Sequence, residues 1–148
     1  MLRMRSKKQG KQKEKEVEVS CAVIREAGRV LIAQRKPGSF YGGYWEFPGG
    51  KCHDRETLED CLVREVWEEL RIRIQPVLFL RREYHPYSDR KLALNFYLCD
   101  RVAGRPVRED CFDFRWVSVE ELLKYCFPPA DYGLIHDLIR KKRFYFGV

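Results

Sequence analysis

The chain has 148 residues, of which 45% are hydrophobic and 34% are charged. One domain is the usual content of a chain of this length, and the composition excludes a collagen-like chain, a low-complexity chain and a disulfide-dense scaffold. No run approaches 18 apolar residues, and the N-terminus lacks the apolar segment of a secretion signal. The sequence therefore predicts a cytoplasmic protein that does not contact membranes.

The positive charge is concentrated at the N-terminus. The net charge is +7, and residues 1–16 hold seven Lys or Arg against two acidic residues, which leaves +2 for residues 17–148. We expect a basic, disordered tail over residues 1–16 and a single folded domain over residues 17–148. Such a tail either makes weak contacts with nucleic acid or is simply solvated.

The cysteines show no CxxC spacing and form no zinc-binding pattern with the three histidines. They are Cys21, Cys52, Cys61, Cys99, Cys111 and Cys126. Without a secretion signal we expect reduced thiols, most of them small core residues.

Hydrophobic alternation, turn residues and helix caps predict the secondary structure. The predicted strands span Val17–Ile24, Arg29–Gln34, Val77–Tyr84, Leu92–Cys99 and Asp113–Ser118, with a turn at Pro86–Asp89. The predicted helices span Thr57–Leu70, Val119–Tyr125 and Tyr132–Arg143, with a loop at Phe127–Asp131 before the last one. Interleaved strands and helices indicate an α/β or α+β fold with a mixed sheet.

The first predicted helix carries acidic residues where its apolar face should continue. Residues three and four apart share a helix face, and this face reads Leu58, Cys61, Leu62, Glu65, Glu68, Glu69 and Ile72. Three neighbouring carboxylates repel one another, and burying them is costly unless a cation neutralises them. Oxygen ligands without His or Cys favour Mg²⁺ or Mn²⁺. The alternative is a solvated acidic face paired with Arg64 and Arg71.

The spacing of these residues resembles the Nudix box of the Nudix hydrolases. The matching positions are Gly50, Glu56, Arg64, Glu65, Glu68 and Glu69. The resemblance implies a Nudix fold, which is an α/β/α sandwich with a mixed β-sheet. One position differs, because the family usually has glycine where Arg71 stands. A glycine there would take a left-handed conformation at the end of the helix, and an arginine costs about 1 kcal/mol or reshapes the turn.

The resemblance also implies roles for the box residues. Glu65, Glu68 and Glu69 match the ligands of the Mg²⁺ or Mn²⁺ cofactor, and Gly50 leaves room for backbone near the metal. Arg64 and Glu56 match the pair that orients the glutamates.

The resemblance defines the catalytic base and a further metal ligand less closely. Glu65 is our first choice for the catalytic base that takes a proton from the attacking water, although family members differ on this residue. A further acid before Trp116 often completes the metal site, and Asp110 has better spacing for it than Glu109.

Outside the box, the chain resembles the MutT branch, which cleans nucleotide pools. The segment Trp45–Lys51 matches that branch, and Arg35 and Lys51 match residues that face phosphates; the alternative for each is a surface charge. The segment Phe127–Asp131 matches the place where a polar residue reads the base edge. Asp131 is therefore a base-binding candidate, and its alternative role is to cap the following helix.

Aromatic side chains are candidates for stacking on a base. We expect Phe47 to do so, and Phe79 and Tyr97 are further candidates, although most aromatic residues on strands belong to the core.

The resemblance implies a Mg²⁺-dependent hydrolase that converts (deoxy)nucleoside triphosphates to monophosphate and pyrophosphate. Sanitation of oxidised nucleotides such as 8-oxo-dGTP, which prevents DNA damage, is the favoured role. Hydrolysis of CTP or a modified dCTP is close behind, because Asp131 replaces the Asn associated with 8-oxoguanine in the bacterial prototype. Hydrolysis of RNA 5′-triphosphate ends is a third candidate function, and non-catalytic sensing of nucleotides is a fourth.

Overall fold

The computed structural model of the chain describes residues 15–87 and 90–148. The strands are β1 Lys15–Glu26, β2 Arg29–Gln34, β3 Trp45–Glu46, β4 Gly49–Lys51, β5 Arg73–Tyr87, β6 Arg90–Ala103 and β7 Asp113–Ser118. The helices are α1 Leu58–Leu70, α2 Tyr132–Arg140 and α3 Lys142–Phe146, with short 3-10 helices at Glu120–Lys124 and Pro129–Asp131. No helix in this part of the chain is both long and apolar enough to cross a membrane.

The strands of the described residues form one mixed sheet. Its order is β3-β2-β1-β6-β5, while β4 pairs with β1 and β7 pairs with β2. β1 and β6 are parallel, and the other pairs are antiparallel. β1 pairs with β4 over Val19–Cys21 and with β2 over Ile24–Glu26. This change of partner places the glycines of β4 beside the middle of β1.

Helices cover both faces of the sheet, which confirms the predicted sandwich. On one face, Leu62, Val66 and Leu70 of α1 pack against sheet residues that include Leu31. On the other face, α2 contributes Leu134, Ile135 and Leu138 to a second buried cluster. β2 is buried on both sides, and its apolar residues are continuous rather than alternating for that reason.

The strand predictions and the predictions of the first and last helices hold in outline and differ at their ends, whereas the helix predicted over Val119–Tyr125 is a short 3-10 helix at Glu120–Lys124. β1 begins at Lys15, and β5 and β6 are longer than predicted because their pairing continues from Arg73–Ala103 to Tyr87–Arg90, across register shifts such as the one after Pro76. The last predicted helix is divided at Lys141, whose backbone leaves the helical conformation. The strands β3 and β4 were missed because they are only two and three residues long. The predicted tail over residues 1–14 and the tip of the predicted turn at residues 88–89 lie outside the described residues.

The prediction of reduced cysteines was wrong for one pair. Cys52 and Cys61 form a disulfide with a Cα–Cα distance of 5.2 Å. The spacing of nine residues carries no recognisable motif, and the pair meets only because the chain after β4 folds back against the start of α1. Cys99 and Cys111 are buried thiols, as expected of small core residues.

Candidate active site

The helix α1, which carries the box glutamates, is fixed at both ends by its own residues. The hydroxyl of Thr57 accepts a hydrogen bond from the N–H of Asp60 at 3.0 Å. At the other end, Arg71 adopts the left-handed conformation with φ 57° and ψ 33°, and its N–H donates to the Trp67 carbonyl at 2.9 Å. Arg71 therefore takes the conformation in which glycine is usual, and the turn is not reshaped.

Gly50 provides the space for a carboxylate between β4 and α1. It pairs with Ser20 of β1, and a Cβ atom at this position would overlap the Glu65 carboxylate. Any larger residue would have to displace Glu65 from this position. The predicted role of Gly50, to leave room at the site, is consistent with this close approach.

Arg64 links the predicted site residues into one network. Its Nε and Nη2 donate to the two carboxylate oxygens of Glu56 at 2.7 and 2.8 Å. Its Nη1 donates to Glu65 Oε1 at 2.9 Å and to Glu68 Oε2 at 3.2 Å, and Nη2 also reaches the Lys51 carbonyl at 3.2 Å. The hydrogen bonds from Arg64 lower the pKa of Glu56 to about 2. Glu56 is therefore a stable anionic anchor, and Arg64 can orient two glutamates at once.

Glu69 is the buried carboxylate of the site. Its residue is only 7% exposed, and its Oε2 accepts a hydrogen bond from the N–H of Gly49 at 3.3 Å. Its Oε1 is buried and has no hydrogen-bond partner within the described residues. Burial, and next the charge of Glu46, raise the pKa of Glu69 well above its usual value. A buried carboxylate oxygen without a partner is costly, so this position favours a bound cation.

Glu46 is a site residue that the sequence reasoning missed. It follows the buried Trp45 in β3 and its carboxyl faces Glu69. Arg35, which we predicted to bind phosphate, donates from Nη1 to Glu46 Oε2 at 2.8 Å and from Nε to the Phe40 carbonyl at 2.6 Å. Burial raises the pKa of Glu46, and Arg35 opposes that change. The signal in the sequence was an acidic residue between two aromatic core residues.

The box glutamates differ in their exposure. The side chain of Glu68 is 55% exposed, against 21% for Glu65, and both contact Arg64. The alternative of a solvated acidic face therefore describes Glu68 but is wrong for the buried Glu69. It is also wrong for Arg71, which pairs with Glu109 at 3.3 Å instead of with the box.

The residues present fit a divalent cation of the Mg²⁺ or Mn²⁺ type. The donors are carboxylate oxygens, one of them is buried without a partner, and glycine backbone leaves space beside them. In the described part of the chain, the three box carboxylates do not bring their oxygens within 4.8 Å of one another; the one group that meets this distance is Cys52, Glu56 and Cys61.

Asp110 lies at the edge of the site. Its N–H donates to the Glu69 carbonyl at 3.1 Å, which holds the segment against α1. Its carboxylate is 74% exposed and pairs with Lys36 Nζ at 2.9 Å. The side chain is therefore engaged with Lys36 and not with the buried part of the site.

A cavity of about 230 Å³ opens beside β4. Gly49, Gly50 and Lys51 line it, and Arg35 and Glu46 line it as well, whereas the three box glutamates are not part of its lining. Its walls are mostly apolar, as is usual for a site that takes a nucleobase.

Phe47 and Asp131 form part of the cavity wall. The Phe47 ring is 3% exposed and packs on Phe127 at 5.2 Å between ring centroids, so it belongs to the core as well as to the cavity. Phe79 and Tyr97 do not line the cavity and contact each other at 5.3 Å. The candidate roles of Phe79 and Tyr97 in stacking on a base in this cavity are therefore wrong.

Asp131 is buried at the start of α2. It occupies the N-cap position, but its side chain makes no capping hydrogen bond, so the alternative that it only caps the helix is wrong. Burial, and next the charge of Glu46, raise its pKa to about 7. Near neutral pH this carboxyl is therefore divided between a form that only accepts hydrogen bonds and a form that also donates.

Comparison with known proteins gives the class of this fold and site. The NUDIX domain family matches residues 19–137, and the chain belongs to that family. A CTP pyrophosphohydrolase of Escherichia coli K12 is 34% identical over 121 residues, which cover 82% of this chain and 90% of that protein. An 8-oxo-dGTP diphosphatase of the same organism is 32% identical over 127 residues, covering 85% and 98%. The crystal structure of a MutT protein from Methanosarcina mazei Go1 matches with a TM-score of 0.78 and 25% identity, covering 89% and 99%, so the similarity is to the MutT-like members.

Proposed function

We propose that the protein hydrolyses (deoxy)nucleoside triphosphates to monophosphate and pyrophosphate with Mg²⁺, and that oxidised nucleotides such as 8-oxo-dGTP are its substrates. The observation that carries the proposal is the buried Glu69 oxygen without a partner, next to a cavity of base size. The relatives named 8-oxo-dGTP diphosphatase and CTP pyrophosphohydrolase support the same reaction class.

The chain's own residues divide the work, and several of them line the cavity. Lys51, which lines it together with Gly49 and Gly50, attracts the phosphates, and Arg35 supports Glu46 while lining the same space. Glu65, oriented by Arg64, accepts a proton from the attacking water. Glu65, Glu68 and Glu69 would hold the divalent cation, which would neutralise the carboxylate and phosphate charges and make a water more acidic. Asp131, in the wall of the same cavity, reads the base edge.

A CTP or modified dCTP substrate is the second candidate, and the identity of Asp131 favours it. An ionised carboxylate accepts from the amino group of cytosine or from the ring N–H of an oxidised purine, and a protonated one can also donate to a neighbouring acceptor. The choice between the two bases therefore depends on how Asp131 is protonated when a base is bound.

The test is a panel of 8-oxo-dGTP, dGTP, CTP and dCTP, measured as kcat/KM with Mg²⁺ and with Mn²⁺ after removal of metal by EDTA. We expect pyrophosphate rather than orthophosphate as the product, no turnover without the cation, and one base preferred. In Asp131→Asn the ranking of the bases should change by about tenfold, since a mispaired buried polar group costs on the order of 1–3 kcal/mol. One common factor for all four substrates would show that Asp131 does not read the base.

A further inference from the structure

The disulfide between Cys52 and Cys61 lies against the candidate cation site. Cys52 follows the last residue of β4, and its N–H donates to the Glu18 carbonyl at 2.9 Å, which extends the pairing of β4 with β1. Cys61 is fully buried in the first turns of α1. The bond therefore connects the backbone on one side of the site to the helix that carries the glutamates.

Polar contacts also connect β4 to α1, as the disulfide does. The Gly50 carbonyl lies 3.7 Å from Cys61 Sγ, and the Lys51 carbonyl accepts from Arg64 at 3.2 Å. The position of the Gly50 backbone sets the space for the Glu65 carboxylate. A covalent link at Cys52 thus restrains the segment that Glu65 packs against.

Groups that could accept hydrogen bonds from the two thiols, or donate to them, already lie next to the sulfur atoms of the disulfide. Cys52 Sγ lies 3.5 Å from the hydroxyl of Ser20, which itself donates to the Leu58 carbonyl at 2.7 Å. The thiol of Cys61 would have the Gly50 carbonyl as its acceptor. Thiols are weak donors, so these contacts suffice to avoid unpaired groups when the bond is broken. Cys52 is partly exposed, so a small reagent can reach it.

We propose that Cys52 and Cys61 are a reversible redox site, whose disulfide fixes the Gly50–Lys51 backbone against α1 and strengthens cation binding. The oxidant is a low-molecular-weight disulfide such as oxidised glutathione. The Cys52 thiolate attacks one sulfur and expels a glutathione thiolate, and the Cys61 thiolate then attacks the Cys52 sulfur and expels the second one. The two cysteines lose two electrons and two protons, and oxidised glutathione becomes two molecules of the thiol.

The redox site itself can be tested without any activity measurement. Trypsin cleaves after Lys51, Arg55 and Arg64, so Cys52 lies in the peptide 52–55 and Cys61 in the peptide 56–64. We expect the full-length protein, equilibrated with mixtures of reduced and oxidised glutathione, alkylated and digested, to give one linked peptide that disappears under reducing conditions and returns on oxidation. Absence of this linked peptide at every ratio would overturn the proposal.

The stability of the chain gives a second readout. Closing a loop of this length should raise the melting temperature by roughly 5–8 °C in the oxidised form. Cys52→Ser should remove the difference between oxidised and reduced protein, whereas Cys126→Ser, at an exposed free cysteine, should preserve it. An equal shift in Cys52→Ser would contradict the assignment.

The effect on cation binding rests on the proposed function and is measured by titrating Mn²⁺ and following free Mn²⁺ by electron paramagnetic resonance. We expect about three- to tenfold tighter binding in the oxidised wild type than in the reduced wild type or in Cys52→Ser. Equal Mn²⁺ affinities in the two states would overturn the proposed link between the disulfide and the cation site. No Mn²⁺ binding in either state would refute the proposed function, and the peptide experiment would then decide on the redox site alone. The reduced protein could instead retain one equivalent of zinc that prevents the disulfide from forming. That result would identify Cys52, Glu56 and Cys61 as a metal site and would overturn the proposal.

Discussion

The two helices that cover the sheet bury different kinds of side chain. α2 presents Leu134, Ile135 and Leu138 to its face of the sheet, and every one of them is apolar. α1 buries Leu62 and Leu70 in the same way but also buries Glu69 one residue before its end. Hydrophobic burial accounts for these three residues of α2, whereas α1 buries a carboxyl that packing alone would not keep there. The buried carboxyl of α1 lies within the helix, while Asp131, the buried carboxyl on the other side, precedes the first residue of α2.

The largest effect is expected from neutralising the buried carboxylate of α1. Glu69→Gln should lower cation-dependent kcat/KM by about 10³-fold, which is about 4 kcal/mol, and should raise the melting temperature of the EDTA-treated protein, because a buried carboxyl is replaced by a neutral amide. Glu68→Gln is the matched control. It should also reduce activity but leave the melting temperature unchanged, since Glu68 is half-exposed. A Glu69→Gln protein with wild-type kcat/KM would refute the metal assignment.

The box on α1 could be predicted from the sequence because its residues are close together in the chain. The spacing of Glu65, Glu68 and Glu69 on a helix defines which side chains share a face before any tertiary structure is known. Their individual environments could not be predicted. Whether a carboxylate on that face is buried or exposed depends on how α1 sits on the sheet, and this places Glu69 inside and Glu68 outside.

The rest of the site depends on long-range contacts. Glu46 reaches Glu69 only because β3 pairs with β2, and Cys52 reaches Cys61 only because β4 pairs with β1. β3 and β4 are too short to show a period of two, so the sequence offered no pattern for these contacts. The overall sandwich was predictable because its longer elements have clear hydrophobic patterns.

Truncating a core side chain of α1 or of α2 should lower the stability of the protein equally, but only the change in α1 should weaken cation binding. Leu62→Ala in α1 and Leu138→Ala in α2 each remove a fully buried side chain, and each should destabilise the fold by about 2–4 kcal/mol. Urea unfolding measures this loss. Only Leu62→Ala should also weaken Mn²⁺ binding, because it loosens the helix that carries the glutamates. Equal weakening in both variants would show that the site depends on the whole core and not on α1.

Asp131, which precedes α2, should make the free energy of unfolding depend on pH. Its pKa is about 7 in the folded state against 3.8 for an ordinary aspartate, so between these values the folded chain holds a proton that the unfolded chain releases. Stability should therefore fall as pH rises through this window and level off above about pH 7. Relative to Asp131→Asn, the EDTA-treated wild type should lose about 2–3 kcal/mol between pH 5 and pH 8 in urea unfolding. A difference that stays constant with pH would contradict the raised pKa.

The smallest effect concerns the end of α1, where Arg71 replaces the usual glycine. Arg71 holds a left-handed conformation that disfavours residues with a Cβ, so Arg71→Gly should relieve about 1 kcal/mol of backbone strain. The same change removes the guanidinium stacked over Trp67 at 5.5 Å and the contact with Glu109, which are exposed and together contribute about 0.5–1 kcal/mol.

The two contributions nearly cancel, and Arg71→Gly should change the free energy of unfolding by no more than about 0.5 kcal/mol. Arg73→Gly is the matched control, because Arg73 also stacks on Trp67, at 5.1 Å, but lies at the start of β5 without a left-handed conformation. Arg73→Gly loses the same kind of contact but has no backbone strain to relieve, and a glycine weakens the strand. Arg73→Gly should therefore destabilise the protein by about 1 kcal/mol. Equal destabilisation by the two variants would mean that the left-handed conformation of Arg71 carries no strain, and that the arginine is as suitable at this turn as the glycine it replaces.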